Sequence, residues 1–235
     1  MRISEIYASL QGEGRYAGTP STFIRTSGCN LRCTWCDTPF TSWEPTGSER
    51  SVDDVLDAVA ALGLRHAVVT GGEPLILPDI PDLCRRLRDA GVHVTIETAG
   101  SVLPAAEPTA IADFLSISPK LASSAPSSAT AGAWAARHEA ARRRDDVLVA
   151  LMQAPHQLKF VISTPADLAE ACAWIDDLAQ AGATVDPDAV FLMPEGRDPP
   201  RLAATAAWLE PEAQRRGFHL APRHHIAWFG DVRGT

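Results

Sequence analysis

Thr22-Phe23-Ile24-Arg25-Thr26-Ser27-Gly28-Cys29-Asn30-Leu31-Arg32-Cys33-Thr34-Trp35-Cys36 sets a strand-forming run, a glycine and three cysteines in direct succession. Thr22–Thr26 is β-branched and aromatic and reads as a strand. The C-x3-C-x2-C array therefore sits on a loop at the carboxyl end of a strand. In barrel folds that end carries the chemistry.

The pattern repeats along the chain. Strand-forming runs recur at His66–Thr70, His93–Glu97, Phe114–Ser116, Leu158–Ile162 and Val190–Met193. Helical periodicity fills the gaps: one helix opens at the Ser51-Val52-Asp53-Asp54 capping signal, others follow Pro78 and Pro165, and another runs through Leu202–Trp208. Strands alternating with helices imply βα units on a parallel sheet with right-handed crossovers. A complete eightfold barrel needs about 250 residues, and this chain has 235. The expectation is an α/β chain forming a partial (βα)6-type, TIM-like barrel, one domain over residues 1–235. Leu121–Gly132, rich in Ser, Ala and Pro, reads as a mobile excursion inside that domain, and Trp134–Arg144 as a solvated helix.

Composition removes several function classes. A net charge of −8 disfavours gripping nucleic-acid phosphates. No apolar run reaches the roughly 18–20 residues of a membrane span. The opening Met-Arg-Ile-Ser-Glu-Ile-Tyr lacks a signal peptide's apolar core and cleavage site, so a cytoplasmic location is expected. Five cysteines, three of them within eight residues, suit a metal or iron–sulfur site in a reducing compartment better than a disulfide framework. Cys84 and Cys172 stand alone and read as small buried hydrophobes.

Thiolates are soft ligands for zinc, copper(I) or iron–sulfur clusters. Structural zinc sites are closed by a fourth ligand, and none lies near Cys29, Cys33 and Cys36 in sequence. A four-iron cluster normally takes four thiolates. Three would leave one iron open to a small molecule.

The array, with aromatic Trp35 before Cys36, resembles the signature of the radical S-adenosylmethionine enzymes. Thr70-Gly71-Gly72-Glu73-Pro74 is similar to that superfamily's Gly-Gly-Glu-Pro element. Leu10-Gln11-Gly12-Glu13-Gly14, Phe23-Ile24-Arg25, Cys36-Asp37-Thr38, Ile96-Glu97-Thr98, Ser118-Pro119-Lys120, Leu158-Lys159-Phe160-Val161 and Leu192-Met193-Pro194-Glu195-Gly196 resemble the 7-carboxy-7-deazaguanine synthases of the queuosine and deazapurine pathway.

The resemblance implies a lyase that contracts the ring of 6-carboxy-5,6,7,8-tetrahydropterin, giving 7-carboxy-7-deazaguanine and ammonia. Cys29, Cys33 and Cys36 would hold a 4Fe-4S cluster whose open iron binds the amino and carboxylate groups of S-adenosylmethionine. One electron would release a 5′-deoxyadenosyl radical, which takes a hydrogen from the pterin carbon bearing the carboxylate and later returns it. Trp35, Cys36, Asp37, Gly71, Gly72, Glu73, Glu97, Ser118, Pro119 and Lys120 would contact S-adenosylmethionine. Leu10, Gln11, Gly12, Glu13, Arg25, Thr70 and His225 would line the pterin. Thr38 and the substrate carboxylate would hold Mg²⁺, which favours hard oxygen ligands. The implied partners are an electron donor such as flavodoxin or ferredoxin and a second copy of the chain, with neither nucleic acid nor membrane.

Read without the resemblance, several of these residues fit plainer roles: Gln11–Gly14 as a surface loop, Arg25 as a solvated strand end, Thr38 as a turn hydroxyl. Arg223 and Phe229 stand where the resemblance expects Gln and Trp, which leaves the substrate contacts of that segment open. His66, His93, His138, His156 and His219 sit in no motif, so structural roles are expected. Two other classes compete. A glycyl-radical activase would lack the Gln-Gly-Glu-Gly and Cys-Asp-Thr elements. A zinc-stabilised binding protein would bind one colourless ion.

Overall fold

A computed structural model describes residues 1–234. Nine strands form one sheet among them: β1 Arg2–Leu10, β2 Pro20–Thr26, β3 Ser48–Glu49, β4 His66–Gly71, β5 His93–Thr98, β6 Phe114–Ile117, β7 His156–Ile162, β8 Val190–Pro194 and β9 His219–Leu220. Their order is β3-β1-β2-β4-β5-β6-β7-β8-β9. From β2 to β9 every neighbouring pair is parallel, while β1 pairs antiparallel with β2 and β3. This open, parallel-rich sheet is the partial TIM-like barrel expected from the strand spacing, and each of the six strands read from sequence is present, extended by one or more residues.

Burial explains the arrangement. Strand β8 is buried along its whole length, and Ala67–Val69 in β4 are fully enclosed, as in strands covered on both faces. The helix Val52–Leu62 begins with the predicted reciprocal cap: Asp54 N donates to Ser51 Oγ at 3.1 Å and Ser51 N to Asp54 Oδ2 at 3.0 Å. Ile80, Leu83, Cys84 and Leu87 form the inward stripe of helix Ile80–Asp89. Helix Pro165–Gln180 delivers Trp174 to the core, where its Nε1 donates to Asp145 Oδ1 at 2.7 Å. The fourth expected helix runs longer, from Pro199 to Arg215.

At the amino end of the strands, Tyr16 packs against His66, His93 and Phe114 with ring centroids 5.0–5.2 Å apart. His66 is fixed by Ser21 Oγ and Thr95 Oγ1, both at 2.8 Å. This aromatic plug seals the end away from the cysteines.

The segment after β6 departs from the expected mobile excursion. It holds a short 3-10 turn at Ala122–Ser124 and a Ser127-capped helix at Ser128–Ala131. Small side chains let it pack closely, and hydroxyls satisfy its backbone. Ser124 is fully buried, donates to Leu121 O at 2.6 Å and meets His138 Nε2 at 3.0 Å. The next helix ends at Arg142, not 144, and buries His138 completely. Arg142 is not a solvated end: only 11% exposed, it bridges Glu139 and Glu170. Arg143 and Arg144 pair with Asp145 and Asp146.

Strand β1 was not among the expected strands. Its apolar positions do not alternate regularly, and a register shift between Ile3 and Glu5 interrupts its pairing with β2. No helix among the described residues is long and apolar enough to cross a membrane.

Candidate active site

The carboxyl ends of the strands surround a cavity of about 470 Å³. Cys29, Cys33, Cys36, Thr38, Thr70, Gly72, Glu97, Ser118, Lys120, Lys159, Arg25, Glu13 and His225 all reach it. Residues from distant chain segments thus converge on one space.

The cysteine loop is tied down at many points. Gly28 N donates to Thr41 O at 2.8 Å, Thr34 N to Ser124 O at 2.9 Å, and Trp43 Nε1 to Cys33 O at 3.0 Å. Arg32 Nη1 donates to Cys29 O at 2.9 Å and to Leu31 O at 2.7 Å, while its guanidinium lies 3.8 Å from the Trp134 ring centre. The packed excursion therefore braces the loop from outside.

Glycine is needed where β4 passes this loop. A Cβ on Gly72 would lie 2.0 Å from Gly28 O, and one on Gly71 2.2 Å from Thr26 O, where Gly71 also has φ +133°. That contact lets Glu73 N donate to Gly28 O at 2.9 Å.

Burial pushes the Cys29 thiol up to about 12 and the Cys33 thiol up to about 11, with the Glu73 charge adding to the first and Lys120 opposing the second. Such thiols ionise when a bound metal supplies the compensating charge. Among the described residues no fourth ligand is at hand for a closed zinc site. His138, the imidazole packed on this loop, spends Nδ1 on Arg32 N at 3.0 Å and Nε2 on Ser124 Oγ. No trio of His, Cys, Asp or Glu among the described residues is grouped about a single ion. A three-thiolate set on a cavity wall suits an iron–sulfur cluster with one open iron. Trp35, which also lines the cavity, has a buried Nε1–H without an acceptor among the described residues, a donor available to a bound cofactor.

Two of the expected cofactor contacts are placed differently. Glu73 is fully buried and turned under the cavity floor. Its carboxylate accepts from Thr98 Oγ1 at 2.8 Å, Ala99 N at 2.8 Å and Leu75 N at 3.1 Å, so it organises the β5 loop in place of meeting an ammonium directly. Burial raises its pKa despite these donors. Pro119 does not line the cavity; Ser118 and Lys120 do, with Lys120 Nζ donating to Ser118 Oγ at 2.9 Å and lying 5.6 Å from the Trp35 ring centre.

Part of the lining is a polar network. Gln11 Nε2 donates to Glu97 Oε1 at 3.1 Å, Thr70 Oγ1 donates to Glu97 Oε2 at 2.8 Å, and Gln11 Oε1 accepts from Glu13 N at 3.1 Å. Gln11 is 5% exposed, which sets aside the surface-loop reading. Glu13 is ion-paired with Lys159 and with Arg223 at 3.2 Å, and its pKa is held far below the ordinary carboxylate range by those cations against the cost of burial. His225 Nδ1 lies 3.8 Å from Glu13, with burial lowering its pKa. Gly12 makes room for it, since a Cβ there would lie 2.5 Å from His225 Nδ1.

Arg223, at a position where sequence left the contacts open, has a definite role here. It joins Glu13 to Asp37 of the cysteine loop and donates to Gly196 O at 2.7 Å. Phe229 is 39% exposed and does not reach the cavity. Arg25 is not solvated: its Nε donates to Glu5 Oε2 at 2.9 Å and its Nη2 to Tyr7 Oη at 2.7 Å. Thr38 Oγ1 accepts from Thr41 Oγ1 at 3.3 Å at the cavity edge.

Sequence reasoning missed Glu5, Tyr7 and the part played by Lys159. Glu5 and Tyr7 stand two apart in an extended run, spacing that puts both on one strand face. Lys159 stands in the Leu158-Lys159-Phe160-Val161 motif, yet nothing in sequence links it to Glu13, 146 positions away.

Residues 23–121 match the Radical SAM superfamily. The chain is 46% identical to 7-carboxy-7-deazaguanine synthase of Rhodopirellula baltica, over 99% of this chain and 88% of that protein. It is 43% identical to the enzyme of the same name from Halobacterium salinarum, over 99% and 92%. Among solved structures, QueE from Escherichia coli superposes with TM-score 0.67 at 24% identity, covering 95% of this chain and 94% of that one. Streptococcus suis SuiB bound to S-adenosylmethionine shares the fold at TM-score 0.52 and 11% identity, over 88% of this chain and 51% of that one. Full-length identity at this level, together with three cysteines and the Gln11–Glu13 wall on one cavity, places the chain in the 7-carboxy-7-deazaguanine synthase family of radical S-adenosylmethionine enzymes.

Proposed function

We propose that the chain converts 6-carboxy-5,6,7,8-tetrahydropterin to 7-carboxy-7-deazaguanine and ammonia, acting as one domain over its length. The observation that carries this reading is the content of a single cavity: three cysteines, Gly71–Gly72 and Ser118/Lys120 line it together with Gln11, Glu13, Arg25 and His225.

When bound, the 4Fe-4S cluster and S-adenosylmethionine supply a 5′-deoxyadenosyl radical for hydrogen abstraction. The backbone of Gly71 and Gly72 and the Trp35 indole border the space for that cofactor. Glu97, fixed by Gln11 and Thr70, lines the same cavity. Glu13 stays ionised because Lys159 and Arg223 neutralise it, and an ionised carboxylate accepts from the amine and amide edge of a pterin. Arg25 offers a planar fork to the substrate carboxylate. Thr38 presents a hydroxyl oxygen where that carboxylate and Mg²⁺ would meet. An electron carrier such as flavodoxin or ferredoxin, a homodimeric assembly and a cytoplasmic location complete the reading.

The test is anaerobic reconstitution with iron and sulfide, then turnover of the tetrahydropterin with dithionite, S-adenosylmethionine and Mg²⁺. Formation of 7-carboxy-7-deazaguanine is expected. Cleavage of S-adenosylmethionine without that product discards the substrate, and a colourless zinc protein discards the radical chemistry.

A further inference from the structure

Glu5 and Tyr7 lie on the same face of β1, and the register sets them opposite Arg25 and Phe23 of β2. The register shift between Ile3 and Glu5 has the geometry of a bulge, the device that re-aims a strand's side chains. Downstream of it, Glu5 faces Arg25 and the two form an ion pair with 15% of each side chain exposed.

The Tyr7 ring stacks on Phe23, centroids 5.2 Å apart and planes within 8°, which fixes where its hydroxyl points. That hydroxyl accepts from Arg25 Nη2 at 2.7 Å. Its own proton finds no acceptor among the described residues, and neither does Arg25 Nη1. Both groups border the cavity. Burial raises the pKa of Tyr7, keeping the phenol protonated at neutral pH. A hydroxyl that already accepts from a cation is also a stronger donor.

We propose that the Tyr7 hydroxyl and Arg25 together form a two-donor clamp for the substrate's carboxylate, with Tyr7 a specificity-determining residue that donates to one carboxylate oxygen while Arg25 pairs with the group. Glu5 holds the guanidinium in place from behind. This rests on the assignment of Arg25 to the substrate carboxylate made above.

The test uses the reconstituted holoenzyme with S-adenosylmethionine and two oxidised ligands, 6-carboxypterin and pterin, which differ only in the carboxylate. Tyr7→Phe removes the hydroxyl and keeps the ring stack. The expected result is a loss of 6-carboxypterin affinity of roughly tenfold or more, the weight of one hydrogen bond to a charged group, with pterin affinity unchanged and a matching rise in KM for the tetrahydropterin at constant kcat. Equal effects on both ligands, or none, overturn the clamp. Arg25→Gln separates the two levels. If it abolishes the preference for the carboxylate and Tyr7→Phe does not, the Tyr7 proposal fails alone. If Arg25→Gln leaves the preference intact, or the unmodified enzyme has none, the assignment of Arg25 fails and the clamp fails with it.

Discussion

Lys159 and Glu13, 146 positions apart in sequence, meet as an ion pair inside the cavity, with 6% and 13% of their side chains exposed. Removing one partner of a buried pair strands the other charge at a cost of roughly 3–5 kcal/mol. Arg223 also touches Glu13 and offsets part of that cost. Lys159→Met is therefore expected to fold and to take up iron normally, to raise KM for the tetrahydropterin and to lower the Tm. An unchanged KM would remove Glu13 from substrate binding.

Gly72→Ala tests the crossing that seats the cysteine loop. The added methyl would lie 2.0 Å from a backbone oxygen and 2.9 Å from the Cys29 Cβ, so the loop has to move. The variant should lose most of its iron and its brown colour while far-UV circular dichroism stays near that of the unmodified protein. Full iron content would show that the loop tolerates displacement.

Acid stability follows from His66. Its pKa is lowered to about 4, mainly by burial, with the neighbouring His93 adding. Below an ordinary histidine pKa near 6.5, the unfolded chain binds a proton that the folded chain refuses. Stability should thus fall as pH drops from that value towards about 4, with no further contribution below. Urea midpoints of the apoprotein across this range check it, and His66→Asn should flatten the slope. A slope of equal steepness in the variant would assign the acid sensitivity to other groups.

Thr38→Ala addresses the metal ion. The hydroxyl borders the cavity beside Cys36, its oxygen 3.9 Å from Cys36 Sγ. The variant should keep the cluster and cleave S-adenosylmethionine, yet lose the Mg²⁺ dependence of ring contraction. A Mg²⁺ titration matching the unmodified enzyme would take Thr38 out of the metal site. Cys33→Ala, by contrast, should yield no intact cluster.

The parallel half of the molecule was readable because its signals are local. A strand such as Val190–Pro194, buried on both sides, is an unbroken apolar run, and Ser51 with Asp54 announces a helix within four residues. The cysteine loop carries its chemistry in eight letters. What sequence hid depends on contacts between distant segments. Glu73 looks like a cofactor ligand until Thr98, Ala99 and Leu75 are seen to occupy its carboxylate. Ser124 sits in a stretch whose composition suggests disorder, yet His138 and the backbone of Thr34 bury it. Lys159 and Arg223 acquire meaning only when β7 and the C-terminal segment close on Glu13.

Strand β1 and its turn into β2 bring Glu5, Tyr7, Gln11, Glu13 and Arg25 to the cavity from a single antiparallel hairpin. The cysteines and the double glycine belong to the ends of parallel strands. Much of the lining to which we assign substrate binding thereby lies within some twenty-five residues of chain, with Thr70 and His225 contributed from outside it. A graft of residues 2–26 from a relative with another heterocyclic substrate would exchange that part of the lining and keep the cysteine loop, with Lys159 and Arg223 as the partners that the grafted turn has to satisfy.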